Sequence, residues 1–562
     1  MNMSNSDGKD AARYHDLDAL RAVAMLLGIA LHGALSFVPF PWIVQDSQQN
    51  SAFGSFFFLV HGFRMPVFFV MSGFFTAMLW RRRGLFSTLK QRFLRVFLPC
   101  MAGLFLIVPL NHMAGEFALM QKGTAGSGSG LIALARGGDL QGVEAMLAQG
   151  TDANSQLEDQ SSALHWAAVS NHREIVKALL AGGADVNIQF EDGGTALHWA
   201  AFFGEPETVE LLLESGANPK LKNNKGETPL DTVLHPWGKE VAGIAGFLVE
   251  IMQLDAELAQ IKSDRPAVIT ALGGRVPEAF TEVNPETPEE AKAATDAWIM
   301  GLFIKDIFGH LWFLWFLCWL VVGFSLYALL ATVTRLKSLP GWLILSPLRY
   351  VWLVPLTLLP QLVMHSGGEQ PGFGPDTSTG WLPFPHLLFY YAVFFFFGAF
   401  YHDAKGSGKG VGSRWWISLP LAIFVIFPLG MELSVTPTWS LEVIPEGLHH
   451  LCGSAVQVIF AWLMIFGLMG LFRVLCARER RWMRYISDSS YWLYLAHLPL
   501  ILIAQSLVQD WALSPFLKFP LVCGSVTLVL LLSYQLFVRY TPIGTFLNGP
   551  RKREIREWDA AD

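Results

Sequence analysis

Arg21 and His32 are the first residues in this chain whose types and spacing suggest chemistry. They stand eleven residues apart inside an apolar stretch at about 17 to 38. Eleven steps of about 100° return to within about 20° of the starting face of an α-helix, with a rise of about 16 Å, so the two side chains share one stripe. Asp18, three residues before Arg21, shares the stripe and is placed to fix the guanidinium. A cation near one mouth of a membrane helix suits an anionic donor, and a titratable imidazole deeper in the helix suits proton transfer at a transfer centre. Polar side chains within hydrocarbon are costly, which makes them functional candidates by default.

The elements that must position these groups are membrane helices. The 562 residues are 52% hydrophobic and only 15% charged, with 43 Phe and 20 Trp; a soluble domain carries about 25% charged residues. An ordinary soluble enzyme and a disordered chain are both excluded, and a formal charge of -6 excludes a generally basic nucleic-acid binder. Cys100, Cys318, Cys452, Cys476 and Cys523 are scattered through apolar segments without CxxC or metal-ligand spacing, so neither a disulfide framework nor a metal site is expected.

Stretches long enough to cross about 30 Å of hydrocarbon fall near 17–38, 56–80, 93–113, 306–331, 342–364, 386–402, 415–432, 449–472, 486–507 and 517–539. The first is read as a retained helix rather than a signal peptide, because Asp18 and Arg21 interrupt it. The expected fold is all-α, a polytopic bundle of about ten transmembrane helices. Lys and Arg concentrate in alternate short loops, at 81–90, 335–337, 405–414, 478–484 and 551–553, and are missing from the opposite ones. That pattern puts both termini in the cytoplasm. Arg64 and Lys518, inside spans next to the outer loops, are the exceptions.

Between about 114 and 300 the chain turns polar and periodic. SALHWAA begins at Ser162, TALHWAA at Thr195 and TPLDTVL at Thr228, with IVKALLAGGADVN and TVELLLESGANPK between them. This resembles the ankyrin repeat, a turn-helix-helix unit with a period of about 33 residues. A degenerate capping repeat starts at Ser129. His165 and His198 read as structural, since the histidine of this motif bonds the turn backbone. The array is expected over 124–256, after a flexible Gly/Ser entry and before a linker, partly disordered, at 257–300. Membrane helices occupy 1–113 and 301–562, and three spans before the insertion put it on the periplasmic side.

LDALRAVAMLLGIALH, FFVMSGFF at 68–75, RFLRVFLP at 92–99, GHLWFLWFL at 309–317, YISDSSYWLYLAHLPL at 485–500 and FVRYTPIGTFLNGPR at 537–551 together resemble the membrane acyltransferase 3 family, most of all its glucan-modifying (succinyl) branch. The resemblance implies transfer of an acyl group from cytoplasmic acyl-CoA, with acetyl-CoA or succinyl-CoA as donor and no bound cofactor, to a periplasmic glycan across a bacterial inner membrane. On that pattern His32 is the general base for the acceptor hydroxyl or a transient acyl carrier, and Arg21, with Asp18, positions the donor. Arg92 and Arg95 are candidate donor-phosphate contacts, although basic residues belong on that side anyway. His310, Trp312, Tyr491 and His497 are candidates to line the transfer cavity, the two aromatics being equally suited to interfacial anchoring. Glu442, in an outer loop, is placed to orient an acceptor hydroxyl or simply to be solvated. Ser72 and Gly73 read as a close helix contact rather than a nucleophile site.

The long insertion departs from the family plan, and the array is expected to recruit or shield the acceptor or a protein carrying it. An inactive membrane-anchored ankyrin scaffold or receptor, and a transporter, are the rival classes. The Arg21 and His32 pair favours the enzyme over the scaffold, and the lack of paired intramembrane acids or broken helices disfavours the transporter.

Overall fold

The computed structural model describes residues 14–39, 42–123, 128–157, 159–252, 254, 256–277, 280, 288–335, 338–364, 372–404, 411–435, 445–478 and 480–549. Two compact units emerge. One comprises Met1–His112, Phe308–Ser378 and Pro383–Asp562, and the other Met113–Ile307 with Thr379–Leu382. Along the chain come α1 (His15–Ala34), α2 (Ser51–Arg92) and α3 (Leu98–Gly123). The second unit adds α4 (Gly128–Gly137), α5 (Leu140–Ala148), α6 (Ala163–Val169), α7 (Arg173–Ala181), α8 (Ala196–Phe202), α9 (Pro206–Glu214), α10 (Pro229–Leu234), α11 (Lys239–Met252), α12 (Leu258–Ala271) and α13 (Pro288–Ile304). The first unit resumes with α14 (Trp312–Thr334), α15 (Gly341–Leu345), α16 (Arg349–Gln361), α17 (Pro385–Ala404), α18 (Trp415–Leu421), α19 (Phe427–Ser434), α20 (Glu446–Leu475), α21 (Arg481–Val508), α22 (Pro515–Ser533) and α23 (Pro542–Asn548).

Among the described residues, eight helical stretches are long and apolar enough to cross a membrane. One of them, Ser51–Ala118, holds two of the expected spans. Gly84 leaves the helix there, with φ at 79°, a conformation that favours glycine. Arg92 Nη2 donates to Thr76 Oγ1 at 2.7 Å across 16 residues, which a straight helix would hold about 24 Å apart. The chain therefore doubles back at Gly84. The span expected at 342–364 is instead two short helices, α15 and α16. Pro347 separates them by forcing Ser346 into an extended conformation (φ -87°, ψ 168°).

Close approach of backbones orders the bundle where bulk is missing. A Cβ on Gly73 would lie 1.8 Å from the Phe395 carbonyl oxygen, and one on Gly398 1.9 Å from that of Val70. The SGFF element is thus the contact between α2 and α17, as small residues in membrane helices allow. α1 and α21 run parallel. Arg21 meets Ser487, His32 meets His497, and the Gln505 amide donates to the carbonyls of His32 and Gly33 at 3.0 and 3.2 Å.

Lys518, one of the two basic residues out of place by sidedness, is fully buried. Its Nζ lies 3.0 and 2.8 Å from the two Asp46 carboxylate oxygens and 2.9 Å from the Gln509 carbonyl. This pair ties the segment after α1 to α21 and α22. A buried pair need not stabilise relative to an apolar one, but breaking it strands a charge.

In the second unit, inner helices α4, α6, α8 and α10 and outer helices α5, α7, α9 and α12 enclose one core, including Leu164, Val176, Leu197, Val209 and Val268. The repeat from Ser129 is present as α4 and α5. His165 and His198 close capping boxes with Ser162 and Thr195, and the His198 Nε2 donates to the Glu227 carbonyl of the next repeat at 3.1 Å. They are structural. Within the exit segment the described residues 256–277 include α12, the outer helix of the last repeat, with Val268 and Ile269 fully buried. α11 and the turn after it are an insertion within that repeat. Leu248, Val249, Met252 and Leu254, with Trp166 and Trp199, pack on a small core of Val169, Phe203 and Ile261.

Asp46→Asn should lower the unfolding free energy of the detergent-solubilised protein by about 3 kcal/mol, by leaving Lys518 buried and unpaired; an unchanged denaturant midpoint would contradict this account of the pair. Burial lowers the pKa of His165 to about 4 and that of His198 below its ordinary value. Both are neutral when folded, so their contribution is intact above about 6.5 and is lost as the unfolded chain takes up protons between there and about pH 4. Amide protection of 163–169 and 196–202, corrected for intrinsic exchange, should fall across that window, and His165→Gln should flatten the fall.

Candidate active site

The α1 stripe meets α21 at two polar points. At one end, Arg21 Nη2 donates to the Ser487 hydroxyl at 2.8 Å and to its carbonyl at 3.3 Å, with Asp18 Oδ1 at 3.4 Å on the other side. Asp18 thus fixes the guanidinium as its spacing suggests. Arg21 keeps a buried Nε without a partner. Nearby, His15, Asp18, Cys476, Arg478, Arg480, Met483 and Arg484 line a small cleft, an arrangement suited to a polyanion.

At the other end, His32 Nδ1 and His497 Nε2 are 3.0 Å apart, with the two rings within 4° of coplanar. The tautomers follow from the partners. The His497 Nδ1 lies 2.7 Å from the Tyr494 carbonyl, which can only accept, so Nδ1 carries the proton and Nε2 is a lone pair. The His32 Nδ1 must then donate to it, which leaves the lone pair of a neutral His32 on Nε2, a nitrogen without a hydrogen bond among the described residues. The sequence thus folds into a relay of carbonyl, imidazole and imidazole that ends in a base.

His310 is brought to the same place. Its ring meets that of His497 edge to face at 5.4 Å. The His310 Nε2 donates to the Leu495 carbonyl at 3.2 Å, so the Asn111 amide donates to Nδ1 at 3.0 Å, and the Tyr494 hydroxyl donates to the His310 carbonyl at 2.6 Å. Chain positions 111 and 310, which flank the insertion, therefore both lie at the His32 end of the membrane unit.

The remaining candidates divide. Arg92 is within electrostatic reach of Arg21, Arg95 and Tyr491 and holds Thr76, so it belongs to the Arg21 end. Arg95, on the π-helical turn Phe93–Phe97, donates to the Asn548 carbonyl at 2.7 Å. Tyr491 is near Arg92, and its buried hydroxyl has no partner. Trp312 packs among Phe69, Phe316 and Tyr391, in the aromatic core between α2 and α17. Glu442 lies outside the described residues.

Several neighbours of His32 escape the sequence reading. Trp42 stacks 6.2 Å from the His32 ring, 25° from parallel, and donates to Gln505 Oε1 at 3.0 Å. His61 donates through Nε2 to the Pro375 carbonyl at 3.0 Å, and both His61 and Arg64 are within electrostatic reach of His32. The spacing of three between His61 and Arg64 was a signal that could have found them, since it puts both on one face of α2. Among the described residues no group of three or more His, Cys, Asp or Glu is arranged to hold a metal ion.

A family model described as an acyltransferase domain matches residues 14–150 and 283–535, more than half of the chain, and a model of ankyrin repeats in three copies matches 131–223. The glucans biosynthesis protein C of Escherichia coli (strain K12) is 37% identical over 123 residues, which cover 22% of this chain and 31% of that protein. The same figures hold for the proteins of that name from E. coli (strain SMS-3-5 / SECEC) and E. coli O1:K1 / APEC. The chain thus aligns with less than a third of the length of these relatives. With the match running through Arg21, His32, His310 and His497, the chain belongs to the membrane acyltransferase 3 family and carries inserted ankyrin repeats.

Proposed function

We propose that this acyltransferase takes its acyl group from acyl-CoA on the cytoplasmic side of a bacterial inner membrane and delivers it to a hydroxyl of a periplasmic glycan. The observation that carries the reading is the His32 Nε2 lone pair, held by the His497 relay on the same helix stripe as Arg21. The loop charges support donor entry at the Arg21 end, where Arg478, Arg480 and Arg484 stand around a cleft fit for the CoA phosphates. Arg92 and Arg95 extend that charge inward. The acceptor class is supported by the name of the relatives, glucans biosynthesis protein C.

In this mechanism the acceptor hydroxyl lies against His32 Nε2, which removes its proton as the oxygen attacks the thioester carbonyl carbon. A carbon-oxygen bond forms and the carbonyl electron pair moves onto oxygen. Collapse breaks the carbon-sulfur bond, and the proton held by His32 passes to the departing CoA sulfur. His497 keeps the lone pair of His32 pointed at the reaction and shares the charge of the transient imidazolium. Trp42, half-buried beside His32, offers a ring face to a sugar.

In this reading the insertion is periplasmic, and the array binds the acceptor or a protein carrying it. The positions of Asn111 and His310 support that side.

Label from acetyl-CoA or succinyl-CoA, added to inside-out vesicles at equal protein abundance, should reach lumenal carbohydrate with the wild type. His32→Ala should reduce transfer by about 10²- to 10⁴-fold. His497→Ala, which leaves the base but frees its tautomer, should cost about tenfold to a hundredfold. No label from either donor, with a glycan supplied, would move the reading to a membrane-anchored ankyrin scaffold. Replacing 124–271 with a short linker should preserve thiol release from acyl-CoA while eroding acceptor selectivity; loss of membrane insertion would instead make the array part of the fold.

A further inference from the structure

Arg64 takes no part in the steps above, yet it occupies the stretch of α1 that a donor must pass. A Cβ on Gly28 would lie 2.2 Å from Arg64 Nη1, so the guanidinium rests on α1 where a side chain is missing. Gly28 is seven residues after Arg21 and four before His32. Seven steps turn to within about 20° of the starting face, which keeps all three positions on one stripe, with Gly28 about 6 Å along the axis from His32. A thioester whose CoA is held at the Arg21 end and whose carbonyl carbon is to be attacked beside His32 would bring its carbonyl oxygen to this level.

The charge of Arg64 is also unanswered. Lys518, the other basic residue against the sidedness pattern, is neutralised by Asp46. Arg64 has no carboxylate and no hydrogen-bond partner among the described residues, and its Nε is buried and unsatisfied. Its surroundings within electrostatic reach are His32, Tyr391 and Tyr494. Arg64 is half-buried, and a partly desolvated guanidinium without a counter-ion is costly and is retained where negative charge arrives during function. A preorganised donor aimed where charge develops is worth far more in a water-poor site than in solution.

We infer that Arg64 is a catalytic residue that faces the thioester carbonyl oxygen and stabilises the oxyanion formed when the acceptor hydroxyl attacks. The inference rests on the transfer reading proposed above. Arg64 forms no bond and carries no proton between groups. It holds the electron pair that moves from the carbonyl bond to oxygen until the carbon-sulfur bond breaks.

The test uses the full-length protein in inside-out vesicles loaded with glucan, which supplies the attacking hydroxyl, with thiol release from acetyl-CoA and from succinyl-CoA as the readout. Arg64→Ala should lower kcat for both donors by about 10²- to 10³-fold with little change in donor KM. Added methylguanidinium should restore at least part of it, which a merely structural role would not allow. Gly28→Ala keeps the charge but pushes the guanidinium off the stripe, and should lower kcat by about tenfold to a hundredfold; it serves as the second reading should Arg64→Ala fail to insert. Wild-type kcat in inserted Arg64→Ala, or in Gly28→Ala, overturns the oxyanion role. So does a loss confined to succinyl-CoA, which would make Arg64 a partner for the distal carboxylate of the acyl group. Absence of thiol release from the wild type would remove the transfer reading itself, and this inference with it.

Discussion

One hydrogen bond, from His32 Nδ1 to His497 Nε2, decides what the membrane unit can do, because it decides which nitrogen of His32 is basic. The bond requires α1 and α21 to run side by side in the same direction, in register over two-thirds of their length. Ser487 beneath Arg21 and Gln505 over the last carbonyls of α1 fix that register at both ends. The Tyr494 carbonyl that meets His497 Nδ1 is a backbone group of α21 itself, one turn back, so the relay needs no further side chain. Hydrocarbon around the bundle makes such pairings compulsory: a polar group without a partner there is expensive, and the structure shows where the chain accepts that expense.

Several of those places lie near the α1 stripe, while others, such as Arg349 Nε, Gln361 Oε1 and Gln509 Oε1, lie elsewhere in the unit. Arg21 Nε, Arg64 Nε, Arg92 Nε and the Tyr491 hydroxyl are buried without partners, whereas Lys518, Gln457 and Trp462 are bonded within the same unit. A bundle built for stability alone would satisfy both sets equally. The first set stands close to Arg21 and His32.

Much of this was legible in the sequence. Arg21 and His32 were found by helical arithmetic, and the 33-residue period of SALHWAA and TALHWAA fixed the array and the capping role of its histidines. His310 and His497 came only through the family resemblance, since nothing local to GHLWFLWFL or LAHLPL says that the two rings meet. In the sequence Arg64 stands out only as an exception to loop charge; its meaning depends on Gly28, 36 positions away, having no side chain. Trp42 and Gln505 were invisible for the same reason, as a lone aromatic in a loop and a lone amide in a span. Hydropathy merged the break at Pro347 into one span because Gly341–Leu345 and Arg349–Gln361 are both apolar enough to hide it. α11 defeated the repeat period in a different way, by inserting a helix between the two halves of the last repeat.

The contacts that make the site are among the most distant in the chain: Arg21 with Ser487, His32 with His497, Asp46 with Lys518 and Arg95 with Asn548 span 466, 465, 472 and 453 residues. At about 5 to 20 residues per second of synthesis, the first helix waits roughly half a minute to a minute and a half for its partners. Over that interval Arg21 and His32 sit in a newborn bundle without Ser487 and His497, while the ankyrin repeats, whose contacts are to near neighbours, can close as they emerge. A ribosome that stalls before α21 therefore leaves behind a membrane protein with a finished repeat array and a His32 whose tautomer nothing fixes.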